Sequence, residues 1–119
     1  MNKVYFYKDK RGNEPVLDYI QSLGRKSDKD SRIKANKIRD YMKYLQVEGL
    51  DSGEPYIKHL KNEIWELRPL RDRILFASWQ HDGFVFLHHF IKKTNKTPLR
   101  EIYQAQKNLK KYKELSQNA

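Results

Sequence analysis

The stretch Trp65-Glu66-Leu67-Arg68-Pro69-Leu70-Arg71-Asp72-Arg73-Ile74-Leu75-Phe76 decides the fold, because it contains parts of two strands and the short link between them. Side chains alternate across a strand, so Trp65 and Leu67 are predicted to face the core, and Glu66 and Arg68 the other side. By the same alternation Arg73 lies opposite the face of Ile74 and Phe76. We therefore expect Arg68 and Arg73, which flank the link, to come close together.

Hairpin signals extend the pattern on both sides of this stretch. Segments 56–60 and 63–68 are joined by only Lys61-Asn62, and segments 73–80 and 84–90 are joined around His81-Asp82-Gly83. Phe84-Val85-Phe86-Leu87 is apolar on both faces, which is typical of a central strand. Four consecutive strands are therefore predicted between residues 56 and 90.

Three helices and one further strand complete the prediction. Val4-Tyr5-Phe6-Tyr7 is predicted as the first strand, followed by a helix that Asn13 caps and Gly24 ends. A second helix opens at Ser27 and runs to Gly49, with Ala35, Ile38, Met42 and Leu45 along one face. Thr97-Pro98 is typical of a cap and first turn, and the inward face of the last helix is predicted to hold Leu99, Ile102, Ala105, Leu109 and Tyr112.

The order β-α-α-β-β-β-β-α predicts a compact α+β domain. We expect a mainly antiparallel sheet with two N-terminal helices and one C-terminal helix, in a single domain over residues 1–119. The length supports one core but leaves no room for a large cofactor cavity as well.

Composition excludes several classes of protein. The absence of cysteine excludes a disulfide framework, a thiolate zinc site and a cysteine nucleophile. We find no apolar stretch that could span a bilayer and no signal peptide, so we expect a soluble cytoplasmic protein without membrane association. Net charge is +10, and segment 92–113 carries eight Lys and Arg against Glu101 alone. Such an excess favours nucleic acid or an acidic protein as a partner, although a solvated lysine-rich helix is an equal alternative.

One end of the predicted sheet collects cations. Lys92 and Lys93 follow the central strand, so Arg68, Arg73, Lys92 and Lys93 could form a cradle for a phosphate backbone. Four scattered surface cations are the alternative. From the residues alone we predict a basic α+β domain that binds RNA or DNA.

The four histidines do not predict a metal site. His88 and His89 are adjacent in a strand and must point to opposite faces, and His59 and His81 have no partner at ligand spacing. The glycines are all typical of turns, so no glycine-rich phosphate loop is predicted, and no Ser/His/Asp signature is present. We expect neither a metal nor a cofactor.

Several motifs together resemble one known family. They are Trp65-Glu66-Leu67-Arg68, the strand start Arg73-Ile74, the run from Leu87 to Pro98 that contains K-K-T-x-K-T-P, and Glu101-Ile102-Tyr103-Gln104-Ala105. In these motifs the chain resembles the phage-derived Gp49-like, HigB-type toxins of the RelE/ParE superfamily. The resemblance covers residues 4 to about 112, and His89 departs from it, because the family commonly has a small residue such as glycine there.

The resemblance implies a RelE-like fold and the toxin of a type II toxin–antitoxin pair. It implies a ribosome-dependent, metal-independent endoribonuclease that cuts mRNA in the ribosomal A site. In that reaction the 2′-OH attacks the adjacent phosphate and leaves a 2′,3′-cyclic phosphate and a free 5′-OH. The implied partners are mRNA, the ribosome and a helix-turn-helix antitoxin, which would form a hetero-oligomer with the toxin when it is neutralised.

This reaction needs a base, an acid and donors for the phosphorane charge. Arg68 and Arg73 suit stabilisation of that charge. For the acid that protonates the leaving group, or for a clamp on the transition state, we choose Lys93 first and Lys92 second. Glu66 and His88 are candidate acid–base groups, although we prefer a pairing or structural role for each. The cations expected to contact RNA or the ribosome are Lys58, Lys61, Lys96, Arg100, Lys107, Lys110 and Lys111.

Two alternatives come from other functional classes. A ParE-like protein of the same fold would inhibit DNA gyrase by binding it, without cutting RNA. A basic nucleic-acid-binding module would bind RNA in a salt-dependent way without arresting growth.

Overall fold

A mixed five-stranded sheet forms the centre of the chain in a computed structural model that describes residues 1–117. Its spatial order is β1-β5-β4-β3-β2; β1 runs parallel to β5, and all other neighbours are antiparallel. The strands are β1 (Lys3–Phe6), β2 (Ile57–Lys61), β3 (Ile64–Leu67), β4 (Asp72–Trp79) and β5 (Gly83–Ile91). The predicted α+β class and the mainly antiparallel sheet are confirmed.

Helices cover both faces of this sheet. Two of them, α1 (Pro15–Arg25) and α2 (Lys29–Glu48), lie on one face, and α3 (Leu99–Gln117) lies on the other. A short 3-10 turn, Gly49–Ser52, follows α2. Among the described residues, none of the helices combines the length and the apolar character that crossing a membrane requires.

The larger core lies between the sheet and the hairpin of α1 and α2. The predicted inward residues of both helices, such as Val16, Ile38 and Leu45, pack there against Leu67 and Phe76. Full burial of side chains of this size stabilises the fold by about 1.5–3 kcal/mol each. This core fixes the two N-terminal helices on the sheet, as their apolar periodicity predicts.

The smaller core lies beneath α3. Ala105 and Leu109 of the helix pack on Leu75, Val85 and Leu87. Of the predicted inward face, Ile102, Ala105, Leu109 and Tyr112 are confirmed, whereas Leu99 is wrong because its side chain is 58% exposed. Leu99 is the first residue of α3, and the buried face of the helix begins at Ile102.

Three predicted helix ends are also wrong. Asn13 does not cap α1, because its backbone N–H and carbonyl both bond to Asp9 and close a turn there. Gly24 does not end α1, which continues to Arg25. The cap of α2 is Asp28 rather than Ser27, because the Asp28 carboxylate accepts from the backbone N–H of Ser31.

An irregularity in β5 decides where its two histidines point. Leu75 and Phe76 of β4 pair with His88 and Phe86, which leaves Leu87 as the extra residue of a bulge. His88 therefore faces α3, opposite Leu75, and His89 faces the helical hairpin, opposite Ile74. The prediction that the two point to opposite faces is confirmed.

Candidate functional site: a cationic groove beside the last helix

A groove of about 220 Å³ opens on the α3 side of the sheet, between the β2–β3 hairpin and the segment that leads into α3. We call it the cationic groove. It is lined by Lys58, His59, Leu60, Glu66, Arg68, Asn95, Lys96, Thr97 and Ile102. Three of these residues carry a full positive charge, and Glu66 is the one acid.

Glu66 forms the floor of the cationic groove. The β2–β3 register places it directly opposite Lys58, and its side chain is 2% exposed. Its Oε1 lies 3.4 Å from Nε of Arg68 and 3.7 Å from Nε of Arg73, and its Oε2 accepts a hydrogen bond from the hydroxyl of Thr97. The two arginines expected to come close therefore share one buried carboxylate.

Arg73 lies behind the groove rather than in it. Its side chain is 7% exposed, and its Nη1 donates to the carbonyls of Leu70 at 2.8 Å and Asp72 at 2.9 Å. Burial lowers the pKa of Arg73, and the charge of Glu66 opposes that change. An arginine remains protonated in proteins, so Arg73 is a fixed internal cation that holds the link between β3 and β4.

Arg68 is the arginine that reaches the cationic groove. Its side chain is 22% exposed, and its Nη1 makes a loose contact of 3.4 Å with Glu54, which is itself exposed. Its buried Nε makes no hydrogen bond within residues 1–117, although it lies near Glu66. The outer nitrogens of the guanidinium are therefore available to an anion, while the attraction of the Glu66 carboxylate holds Nε in place.

The structure divides the lysines of the predicted cradle. Lys96 lines the cationic groove, but Lys92 and Lys93 do not. Lys92 is fixed through its backbone, since its N–H donates to Arg71 at 2.7 Å and its carbonyl accepts from Arg71 at 2.7 Å. Lys93 is exposed and makes no hydrogen bond or ion pair within the described chain. The part of Lys92 and Lys93 in the predicted cradle therefore stays a prediction, since neither lysine is among the residues that line the groove.

Two threonines shape that segment. The hydroxyl of Thr94 donates to the carbonyl of Lys96 at 2.7 Å, and Thr97 donates to Glu66. The prediction that Thr97 caps α3 is wrong, because its hydroxyl instead joins this segment to Glu66 of β3. The sequence pattern Thr-Pro before a helix is compatible with either role, so only the fold identifies the partner.

His88 lies on the same face as the cationic groove, on the far side of β4. Leu75 pairs with Glu66 on one side and with His88 on the other. Nε2 of His88 lies 2.9 Å from Oε1 of Glu101 in the first turn of α3, and both side chains are partly exposed. A carboxylate partner of this kind orients an imidazole.

A second polar cluster lies on the opposite face, away from the groove. The Asp72 carboxylate is 1% exposed; its Oδ1 accepts from the hydroxyl of Tyr19 at 2.7 Å and lies 3.0 Å from Nε2 of His89. The rings of Tyr19 and His89 stack with their centroids 3.7 Å apart. Sequence reasoning missed this cluster, because its members are far apart along the chain.

Electrostatics and burial act in opposite directions on this cluster. Burial raises the pKa of Asp72, but hydrogen bonds from His89 and Tyr19 and the charge of Lys34 outweigh burial and hold that pKa below its ordinary value. Burial, and then the hydrogen bond to Asp72, raises the pKa of Tyr19. The cluster therefore favours a charged Asp72 and a neutral Tyr19.

The remaining predicted RNA-contacting cations lie along α3 and the β2–β3 turn. Arg100, Lys107 and Lys110 are exposed, Lys111 is half-buried, and Lys61 lies 5.5 Å from the ring centroid of Tyr103. They form a basic surface along α3, on which Lys110 lines a depression with Glu63, and Lys111 lines another with Glu114. Within residues 1–117, no three histidine or acidic side chains come together in a way that could hold a metal ion.

Comparison with known proteins identifies the family to which the chain belongs. Residues 24–110 match the model of the family described as "Phage derived protein Gp49-like (DUF891)", and the match includes the whole cationic groove. A search of curated proteins gave no match to the chain. Because the family model covers most of the sequence, the chain belongs to the phage-derived Gp49-like family, a family of toxin-like proteins in toxin–antitoxin systems.

Proposed function

We propose that this protein is the toxin of a type II toxin–antitoxin pair and cuts mRNA in the ribosomal A site, as HigB-type proteins of the RelE/ParE superfamily do. The observation that carries the proposal is the grouping of Lys58, Arg68 and Lys96 around one groove, above a buried carboxylate, in a chain of a toxin-like family. Such a groove suits a phosphodiester, which is an anion that gains charge during cleavage.

The proposed reaction is an internal transfer of the phosphate. The 2′-oxygen of the ribose attacks the adjacent phosphorus and loses its proton to a base. The bond from phosphorus to the 5′-oxygen then breaks, and an acid protonates that oxygen. The products are a 2′,3′-cyclic phosphate and a 5′-OH, and no water or cofactor enters this step.

Arg68 stabilises the phosphorane in this proposal. Its outer guanidinium nitrogens present a planar pair of donors, which fits two phosphate oxygens. Glu66 serves to position Arg68 rather than to act as the base, since it is buried, lies near two guanidinium groups and accepts from Thr97. Arg73 supports the same carboxylate from behind, and thus acts through Glu66 and not on the substrate.

We assign the acid–base roles to Lys96 of the groove and to two groups outside its lining, Lys93 and His88. Lys96 lines it, and Lys93 lies three residues earlier on the same exposed segment, so either lysine can protonate or clamp the leaving oxygen. Lys92 anchors the start of that segment through its backbone bonds to Arg71. His88, oriented by Glu101 on the same face of the sheet as the groove, is the proposed base.

The basic surface around the groove supports contact with the ribosome. The exposed Arg100, Lys107 and Lys110 of α3 could neutralise several phosphates of ribosomal RNA, and binding of that kind weakens with salt. Ribosome binding places the proposed activity in the cytoplasm. The proposed neutralising partner is a helix-turn-helix antitoxin in a hetero-oligomer with this chain.

The test is to induce the chain in bacterial cells and map the new 5′-OH ends of mRNA, beside an Arg68→Ala variant. We expect growth arrest and cuts inside translated codons, both lost in Arg68→Ala while the protein level stays the same. Arg73→Ala is less suitable here, because removal of a buried cation also destabilises the fold.

Other outcomes would contradict the proposal in different ways. Growth arrest without new 5′-OH ends, accompanied by DNA damage, would favour a gyrase inhibitor. No arrest at all, together with salt-dependent RNA binding by the purified protein, would leave a basic nucleic-acid-binding module.

A further inference from the structure

A second groove lies on the other face of the sheet, at the same end as the arginines. It has a volume of about 260 Å³, and we call it the hairpin-side groove. Its lining consists of Asp30, Ile33, Lys34, Leu70, Arg71 and Ile91. The inference drawn from it goes beyond the proposed function, because it assigns a docking surface on this chain and its test does not require RNA cleavage.

Three apolar side chains from separate elements meet around this groove. Ile33 comes from α2, Leu70 from the link between β3 and β4, and Ile91 from the end of β5; they are 44%, 48% and 42% exposed. A single exposed apolar side chain needs no explanation, but a group gathered around one depression marks an interaction surface. The hairpin-side groove is therefore a candidate for a protein contact.

Leu70 is held on this surface against its backbone preference. Its φ of 56° lies in the left-handed region, which a leucine rarely adopts and a glycine adopts freely. Its carbonyl accepts from Nη1 of Arg73 at 2.8 Å, so the buried arginine helps to keep the turn in this conformation. The exposed side chain therefore sits on a rigid turn rather than on a mobile loop.

Cations held in place flank the apolar side chains. Nζ of Lys34 lies 3.8 Å from the buried carboxylate of Asp72, and Nη2 of Arg71 donates to the carbonyl of Lys92 at 2.7 Å. Asp30 is the one acid of the lining. A partner that brings carboxylates would meet cations whose positions are already fixed, which reduces the entropy lost on binding.

Two further lysines lie near Ile33 on α2. Lys29 and Lys37 lie four residues before and after it, one turn away on the same side of α2. The chain as a whole carries +10, so a second copy would be repelled from this surface. Apolar contacts and charge thus agree on one kind of occupant.

We propose that the hairpin-side groove docks an acidic amphipathic helix of a separate protein. Its apolar side chains, spaced i, i+4 and i+7, would contact Ile33, Leu70 and Ile91, and its flanking carboxylates would face Lys34 and Arg71. Because Leu70 and Arg73 share one turn, a helix bound here also contacts the backbone that positions a buried arginine behind the cationic groove.

The test uses the full chain and a phage-displayed library of 18-residue helical peptides. The apolar stripe is drawn from Leu, Ile, Val and Phe, and the flanking positions from Glu, Lys, Gln and Ala. Peptides are selected on the wild type after depletion on an Ile33→Ser/Leu70→Gly double variant. Leu70→Gly suits the left-handed turn, so the fold is retained, and circular dichroism checks this. Val47→Ser is the matched control, because Val47 is exposed on the same helix but outside the groove.

We expect selected peptides to be rich in Glu, and fluorescence anisotropy to show at least tenfold weaker binding by Ile33→Ser and by Leu70→Gly. Val47→Ser should bind as the wild type does, and replacement of the peptide's Glu by Gln should weaken binding at least fivefold. The proposal is overturned if no peptide is enriched, or if the enriched peptides are neutral or basic. It is equally overturned if acidic peptides bind the groove variants as tightly as the wild type, since they would then occupy the basic surface of α3.

Discussion

The hydroxyl of Thr97 donates a hydrogen bond to the buried carboxylate of Glu66, which joins the segment before the last helix to the third strand. The same carboxylate lies within 4 Å of a guanidinium nitrogen of Arg68 and of Arg73. One acid therefore fixes both the arginine of the cationic groove and the segment that carries Lys96. The predictions about activity follow from this arrangement.

Replacement of Thr97 should affect activity more than stability. Thr97→Val removes the donor and should free the segment that carries Lys96, with a loss of about ten- to a hundredfold in RNA cleavage from misplacement alone. The unfolding free energy should fall by only about 1 kcal/mol, the net value of one hydrogen bond. Thr97→Ser retains the hydroxyl and should keep most of the activity. Equal activity of Thr97→Val and the wild type would show that Thr97 does not position the segment that carries Lys96.

The two arginines should separate activity from stability. Arg68→Ala should reduce cleavage by about a hundredfold or more, as loss of a transition-state donor does, with little change in unfolding free energy. Arg73→Ala removes one of the two guanidinium groups beside the buried Glu66 carboxylate. It should therefore lower the unfolding free energy by about 3 kcal/mol. Urea denaturation beside a cleavage assay distinguishes the two. A stable Arg73→Ala protein would show that Arg73 is not the internal support described here.

The Asp72 cluster should make stability depend on acid. Because the folded pKa of Asp72 lies below its ordinary value, its contribution is complete above about pH 4, the unfolded value, and is lost as the pH falls through the folded pKa. Asp72→Asn should be less stable than the wild type at pH 7, by about 1–3 kcal/mol. Below pH 4 the two unfolding free energies should converge. Parallel curves over the whole range would contradict the lowered pKa.

Two glycines provide opposite tests of the fold. A Cβ atom on Gly83 would collide with the backbone carbonyl of Lys3, where β1 and β5 run side by side, so Gly83→Ala should cost about 1–3 kcal/mol. Gly24 lies inside α1 with open space around it, and Gly24→Ala should stabilise the protein by about 0.5–1 kcal/mol. Thermal unfolding of the two variants checks both signs. A neutral Gly83→Ala would indicate a looser contact between β1 and β5.

Local patterns in the sequence predict much of this structure. Alternation along residues 63–68 places Leu67 in the core and Glu66 and Arg68 on the other face. This is predictable because successive side chains of a strand point to opposite faces of the sheet. The apolar spacing of α1 and α2 predicts their inward faces for a similar reason.

The features that sequence reasoning missed depend on contacts between distant residues. Thr97 and Glu66 are 31 residues apart, and Tyr19 and Asp72 are 53 apart, so neither hydrogen bond leaves a local pattern. The placement of Lys96 rather than Lys93 in the groove depends on the path of an irregular segment. Such segments have no periodicity from which a side-chain direction could be predicted.

The most direct test of the central proposal is cleavage of mRNA on purified ribosomes. An end-labelled mRNA is held on ribosomes with an empty A site and incubated with the purified chain or with Arg68→Ala. We predict a cut inside the A-site codon that leaves a 5′-OH and a 2′,3′-cyclic phosphate, and that Arg68→Ala abolishes. An uncut mRNA with folded wild-type protein, or ends that carry a 5′-phosphate, would contradict the proposed reaction.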